Sequence, residues 1–336
     1  MTSALYDRIA GGLYGVAYGD AMGMPGELWP RRQVSEHFGW IDRFLPGPKG
    51  HFVVDGFRAG QVTDDTQQTV VLAEVIIEGD GTVDAAVLAK RLVEWADRVG
   101  ASEGNFLGPS SARAFDLIRA GKPLEETGAR GDTNGAAMRV VPIGLAVSAS
   151  DLSRLVATVI ESCRPTHFTD VAISGACLIA AAVSAAGEAR DFDEVIEPAL
   201  RAASLGCQHG RPVIAASIVR RAELAVNLAR ASRDDNSLLD DIYEVVGAGV
   251  ATTESVPAAF GLAVAAHGDP ARCARLAANL GGDSDTIGAM STGICGAFSG
   301  RARIPADAIR VLDEVNGFNL NGLADGLTKC RSGTSQ

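Results

Sequence analysis

The chain has 336 residues, with 30 Lys and Arg against 41 Asp and Glu, a formal net charge of −11. That length buries a sizeable core, and the acidic balance excludes a general nucleic-acid binder. Every apolar run is interrupted by charge or proline within about 18 residues, so no membrane span is expected. The N-terminus carries Asp7 and Arg8 and lacks a signal-peptide core. The six cysteines are scattered without paired spacing and read as small buried hydrophobes of a cytoplasmic protein, not as a disulfide or zinc framework.

In chain order, hydrophobic periodicity and end signals predict helices over 3–18, 66–78, 84–99, 110–120, 134–147, 151–162, 170–186, 192–204, 213–230, 238–247, 256–267, 270–280, 286–298 and 306–315. Only Phe52-Val53-Val54 reads as extended, and βαβ alternation is absent. The expected class is all-α, one compact multi-helix domain over 1–330 with a frayed tail over 331–336. The Gly/Pro-rich stretch 44–60 is an ordered loop.

Gly11, Gly15, Gly19 and Gly23 recur every four residues, as do Ala289, Gly293 and Ala297, and Gly288, Thr292, Gly296 and Gly300. Glycine costs about 1 kcal/mol in a helix relative to alanine, so these stripes need a packing reason. In a membrane they would mark helix dimerisation. Asp20, Asp285 and Arg301 argue instead for two helices buried against each other in one bundle, which brings residues near 20, 64 and 285 together.

Two acidic motifs sit at these places: Thr63-Asp64-Asp65-Thr66 and Asp283-Ser284-Asp285-Thr286. Taken singly, each is an ordinary helix cap, since Thr and Asp favour N-terminal positions. Two motifs with the same Asp-Thr ending, each beside glycines, point further. Hard oxygen donors in this density suit Mg²⁺ or Mn²⁺. Carboxylates this close repel unless a cation or a proton lies between them. Successive helical residues point about 100° apart, so Asp64 and Asp65 aim in different directions, as ligands of two neighbouring ions must. Asp283 and Asp285 converge if they lie in the turn before the helix, which Gly281-Gly282 permits.

These motifs, together with the segment from Gly12 to Gly23, Asn134-Gly135-Ala136-Ala137-Met138-Arg139 and Thr166-His167, resemble the ADP-ribosylglycohydrolase family, which includes the dinitrogenase-reductase-activating glycohydrolases. They occur in the family's order and span residues 11 to 300. The resemblance implies an all-helical hydrolase with two divalent cations, Mg²⁺ or Mn²⁺, that cleaves the glycosidic bond at the anomeric carbon of an ADP-ribosyl group on a protein or small molecule. It implies Thr63, Asp64, Asp65, Asp283, Asp285 and Thr286 as metal ligands, with Asp285 near both ions. Glu27 falls where relatives place an acidic residue near the reacting sugar, and Asp20 is capping or supporting. Asp65 or Glu27 would take the proton of the attacking water. The backbone at Asn134-Gly135 offers N–H groups to a phosphate, and His167 lies near the diphosphate.

Asp132-Thr133 departs from the small neutral residue that relatives carry before Asn-Gly. Facing the pocket, Asp132 would repel a diphosphate and accept from a neutral sugar or base. This motivates an alternative, a hydrolase of small ribosides or N-glycosides lacking the diphosphate. A third reading is a non-catalytic relative, against which the intact acidic residues argue. The loops 24–60 and 100–109 would set specificity.

Overall fold

The computed structural model describes residues 4–101 and 107–333. The chain folds into the helices α1 (Ala4–Gly23), α2 (Arg31–Phe38), α3 (Asp64–Glu78), α4 (Ala85–Val99), α5 (Pro109–Arg119), α6 (Leu124–Thr127), α7 (Gly135–Met138), α8 (Val141–Ala146), α9 (Leu152–Cys163) and α10 (Asp170–Ala186). It continues through α11 (Ile196–Gly206), α12 (Ile218–Ala231), α13 (Asp235–Asp241), α14 (Thr252–Ala265), α15 (Pro270–Ala278), α16 (Ser284–Ser299), α17 (Ala306–Asn316) and α18 (Leu320–Gly333). Of these, α2, α6 and α18 fall outside the expected segments. Among the described residues no helix is long and apolar enough to cross a membrane.

The small-residue stripes form an antiparallel zipper between α1 and α16. A Cβ at Gly19 would lie 2.0 Å from the carbonyl oxygen of Gly288, one at Gly15 would lie 2.4 Å from that of Thr292, and one at Gly11 would lie 2.2 Å from that of Gly296. Backbone therefore meets backbone, and the glycines' helical penalty is offset by contact that no larger residue permits. The antiparallel sense sets the C-terminal half of α1 beside the first turn of α16, where the Ser284 hydroxyl donates to the Gly23 carbonyl (2.8 Å). Next to this pair, α10 is buried from Val171 to Ala186 and carries mostly alanine and other small residues.

Several expected boundaries move for local reasons. The predicted 134–147 helix splits into α7 and α8, because Pro142 has no N–H and is accommodated only in a first turn. The predicted 213–230 helix starts at Ile218, capped by Ser217; before it the chain is tied to α10 by the Asp170 carboxylate, which accepts from Val213 N (3.2 Å). The 238–247 helix becomes α13 plus a π-turn over Ile242–Val246. Phe52–Val54 is a turn, not an extended segment: the His51 ring caps it, with Nδ1 accepting from Val53 N (3.1 Å) and Val54 N (3.2 Å). Among the described residues no strand forms, only the isolated bridges Trp29 with Gly282, Thr133 with Ala251 and Thr169 with Arg211.

Fraying does not begin at residue 331. Helix α18 continues to Gly333, and the buried Arg331 guanidinium donates to the carbonyls of Gly144 (2.8 Å) and Val147 (2.8 Å) while pairing with Glu188. Residues 334–336 lie outside the described residues, as do 102–106 of the expected entry loop.

Candidate active site

Three helix ends converge on one point. Thr63 caps α3 and Asp283 stands at the N-terminal boundary of α16 without capping it, so Asp64, Asp65 and Asp285 occupy first turns, where the helix dipoles favour negative charge. Asp20, fully buried on α1, accepts from the backbone N–H of Thr63 (3.0 Å) and of Thr66 (3.1 Å) and from the Thr66 hydroxyl. It thereby fixes the start of α3 against α1. Carboxylate oxygens of Asp20, Asp65 and Asp285 all lie within 4.8 Å of one another. Asp65 accepts from the hydroxyls of Thr63 (2.9 Å) and Thr286 (3.2 Å), which joins the two motifs directly.

The turn before α16 depends on glycine. Gly281 and Gly282 have φ of +77° and +71°, and a Cβ at Gly282 would fall 2.1 Å from the Ala248 carbonyl oxygen. Gly282 exchanges backbone hydrogen bonds with the next segment of the site, accepting from Leu28 N (2.7 Å) and donating to Trp29 O (2.8 Å). This ties the Glu27 loop to the second motif. His51 Nε2 donates to the Glu27 carbonyl (2.9 Å), a tautomer required by the two N–H groups that Nδ1 accepts.

These elements border a cavity of about 320 Å³. Four carboxylates line it (Glu27, Asp64, Asp283 and Asp285), and among the described residues no lysine or arginine does. Thr133, Asn134, Gly135 and Ser111 form the opposite side, and Leu28, Phe52, Leu107 and Val250 add apolar surface. The Asn134 amide donates to Asp283 and to the Ser255 hydroxyl (2.9 Å), bridging the two sides. Gly135 is held close to the His167 ring, where a Cβ would lie 2.6 Å from Cε1.

Burial pushes the carboxyl pKa values up throughout, with like charge adding to it at most positions. Asp20 rises to about 6, chiefly by burial. Asp64 rises to about 7 by burial and the charges of Asp20 and Asp283. Glu27, Asp65 and Asp285 are pushed well above the carboxylate range, first by burial and then by one another and by Asp20, Asp64 and Asp283. Three buried oxygens in this group, Glu27 Oε2, Asp65 Oδ1 and Asp285 Oδ1, have no hydrogen-bond partner. A buried, crowded, partly unpartnered set of carboxylates is a site awaiting positive charge.

Of the residues that the sequence singles out, Glu27, Asp64, Thr133, Asn134, Gly135, Asp283, Asp285 and Thr286 line the cavity, and Thr63 and Asp65 stand directly behind. His167 is wholly buried behind Thr133, its Nε2 3.1 Å from the Thr133 hydroxyl. Asp132 is not brought in. It is exposed and absent from the lining, because Thr252 holds its carbonyl through both N (3.1 Å) and Oγ1 (2.8 Å) and turns the side chain outward. Its expected repulsion of a diphosphate therefore has no geometric basis. Asp20, read from sequence as a supporting residue, combines capping with membership of the carboxylate cluster. Gln68 and His51 carried no such reading, although the i,i+4 spacing of Asp64 and Gln68 on one helix was a usable signal.

A family model described as ADP-ribosylglycohydrolase matches residues 1–335. The chain is similar to YegU, an uncharacterized protein of Escherichia coli (strain K12), at 44% identity over 325 residues, 97% of each chain. It is similar to the ADP-ribosyl-(dinitrogen reductase) glycohydrolase of Rhodospirillum rubrum at 30% identity over 144 residues, 43% of this chain and 46% of that one. Among solved structures, an ADP-ribosylglycohydrolase-related protein complex aligns with a TM-score of 0.67 at 22% identity, covering 97% of this chain and 99% of the other, which speaks to the fold. With the acidic motifs gathered at one cavity and the match running through nearly every residue, the chain belongs to the ADP-ribosylglycohydrolase family and is a glycosyl hydrolase.

Proposed function

We propose that this chain is a two-metal hydrolase of an ADP-ribosyl group carried on a protein or small molecule. The observation that carries this reading is the buried carboxylate cluster with three unpartnered oxygens at the cavity. The donor set is all oxygen, which fits Mg²⁺ or Mn²⁺. Thr63, Asp64, Asp65, Asp283, Asp285 and Thr286 would hold the ions, which when bound supply charge neutralisation and a more acidic water. Six free cysteines accord with a cytoplasmic setting.

The protein's own groups have distinct tasks. Glu27 lines the cavity with an unpartnered oxygen, whereas Asp65 accepts from two threonine hydroxyls and lies outside the lining. Glu27 is therefore the better placed base. It takes the proton of the attacking water as the water oxygen bonds to the anomeric carbon and the bond to the leaving group breaks. Nearby carboxylates favour the positive charge that develops on the ribose. Thr133, Asn134 and Gly135 face the rest of the substrate across the cavity.

The lack of a lining cation favours a second reading, a small riboside without a diphosphate. Calorimetry with ADP-ribose in Mn²⁺, beside an Asp285→Ala control, separates them. Metal-dependent binding that the control loses supports the ADP-ribosyl substrate. Binding of Mn²⁺ without ADP-ribose transfers the proposal to the smaller riboside.

A further inference from the structure

Arg139 is wholly buried, and no carboxylate lies in ion-pair contact with it among the described residues. Its guanidinium donates to Gln68 Oε1 (3.0 Å), to the Thr166 hydroxyl (2.7 Å) and to the Ser162 carbonyl (3.3 Å). Burying a guanidinium is costly unless its donors are used, and an apolar side chain would fill the same space at less cost. Burial lowers its pKa to about 10, so it stays charged at neutral pH.

The bond to Gln68 has a directional consequence. Arginine only donates, so the atom that Gln68 turns toward it must be the amide oxygen. The amide nitrogen is then forced to the other side, where it donates to Asp64 Oδ2 (2.9 Å). Gln68 and Asp64 stand one helical turn apart on α3, so a flip of that amide would set oxygen against oxygen. Thr166 and Ser162, on a separate part of the chain, hold the guanidinium from its other side.

We propose that Arg139 is a positioning residue that, through Gln68, fixes the Asp64 carboxylate toward the cavity and so sets the affinity of the site for a divalent cation. This rests on the reading of Asp64 as a metal ligand. Simple charge predicts the opposite sign: a neighbouring guanidinium repels a cation, and removing it should tighten metal binding.

The test is calorimetric titration of the metal-stripped full-length chain with Mn²⁺. Gln68→Met keeps the length of the side chain and removes both polar atoms. It should weaken Mn²⁺ binding about tenfold or more, the range found for groups that orient metal ligands, with far-UV circular dichroism unchanged. Arg139→Met should weaken binding likewise, and the double variant should be no worse than the weaker single one, because both act through one chain of bonds. A smaller change in Gln68→Met, or tighter binding in Arg139→Met, overturns the proposal. If Arg139→Met does not fold, Gln68→Met decides alone. Asp64→Asn is the control for the underlying reading: if it binds Mn²⁺ like the wild type, Asp64 is no ligand, a failure distinct from that of the relay.

Discussion

Two buried polar assemblies face each other across the cavity. The acidic one, Asp20, Glu27, Asp64, Asp65, Asp283 and Asp285, is short of donors and leaves three oxygens unpartnered. The other holds no carboxylate; its one charge is the Arg139 guanidinium, and the groups bonded to it are neutral. Arg139 donates to the Thr166 hydroxyl, which is hydrogen-bonded to His167 Nδ1 (2.7 Å), and His167 Nε2 in turn is hydrogen-bonded to the Thr133 hydroxyl (3.1 Å). The first assembly has the character of a receptor, crowded with like charge; the second has the character of a frame, its groups bonded to one another apart from Arg139 Nε.

The largest effect should come from breaking what holds the acidic side together. Gly19→Ala drives a methyl into the Gly288 carbonyl. It should cost about 3 kcal/mol or more, or misplace Asp20 relative to Asp285. Urea denaturation in EDTA and Mn²⁺ titration measure the two. A variant as stable as the wild type would show that α1 and α16 have room to separate.

Next, Asp285→Asn should separate stability from function. It removes one of several crowded carboxyls whose ionisation burial and like charge oppose, so the metal-free protein should gain about 1–2 kcal/mol, while Mn²⁺ affinity falls by about 100-fold or more. The same substitution logic applied to the other side has no such upside, because His167 stays uncharged beside Arg139 and its bonds would only be lost. Equal destabilisation from both sides, by urea melts in EDTA, would abolish the contrast.

How much of this was legible in the sequence follows from how local each feature is. The four-residue spacing of Gly11, Gly15, Gly19 and Gly23 announced a close helix contact, and it also foretold that residues 20, 64 and 285 meet. The acidic motifs announced themselves by composition. Leu320, Ala324, Leu327 and Arg331 follow helical spacing too, but Gly322, Gly326 and polar neighbours dilute it, so α18 is absent from the expected helices and its last residues are taken for a tail. Helix α2 was missed because Val34 is its only buried side chain. The outward turn of Asp132 depends on Thr252, and the orientation of Gln68 on Arg139. Both partners are distant in sequence, and no spacing rule reaches them.

The two sides should also respond to pH in opposite directions. Asp20 and Asp64 have folded pKa values of about 6 and about 7, against about 3.9 in an unfolded chain. The metal-free folded state therefore holds more protons, and this stabilisation is complete below about pH 4 and is lost as pH rises to about 7. His167 is the reverse. Burial first, then Arg139 and Arg113, depress its pKa, so its contribution is present above about pH 6.5 and is lost as pH falls below that value. Mn²⁺ competes with the carboxyl protons, so its increment in melting temperature should be larger at pH 8 than at pH 5.5. Equal increments at the two pH values would mean that the cation does not sit among these carboxylates.

The smallest effect tests the frame alone. Thr166→Val keeps the shape and removes the hydroxyl that stands between Arg139 and His167. The guanidinium retains Gln68 and the Ser162 carbonyl, so the main loss is the partner of His167 Nδ1, worth about 1 kcal/mol for a buried polar atom left unpaired. Mn²⁺ affinity should stay at the wild-type value, since the bond from Gln68 to Asp64 is untouched, and Thr166→Ser should recover the stability. Urea melts and Mn²⁺ titration of the three proteins check this. A loss of Mn²⁺ affinity in Thr166→Val that Thr166→Ser restores would mean that the frame and the acidic receptor are one coupled network instead of two, with Arg139 unable to hold Gln68 unless both of its sides are bound.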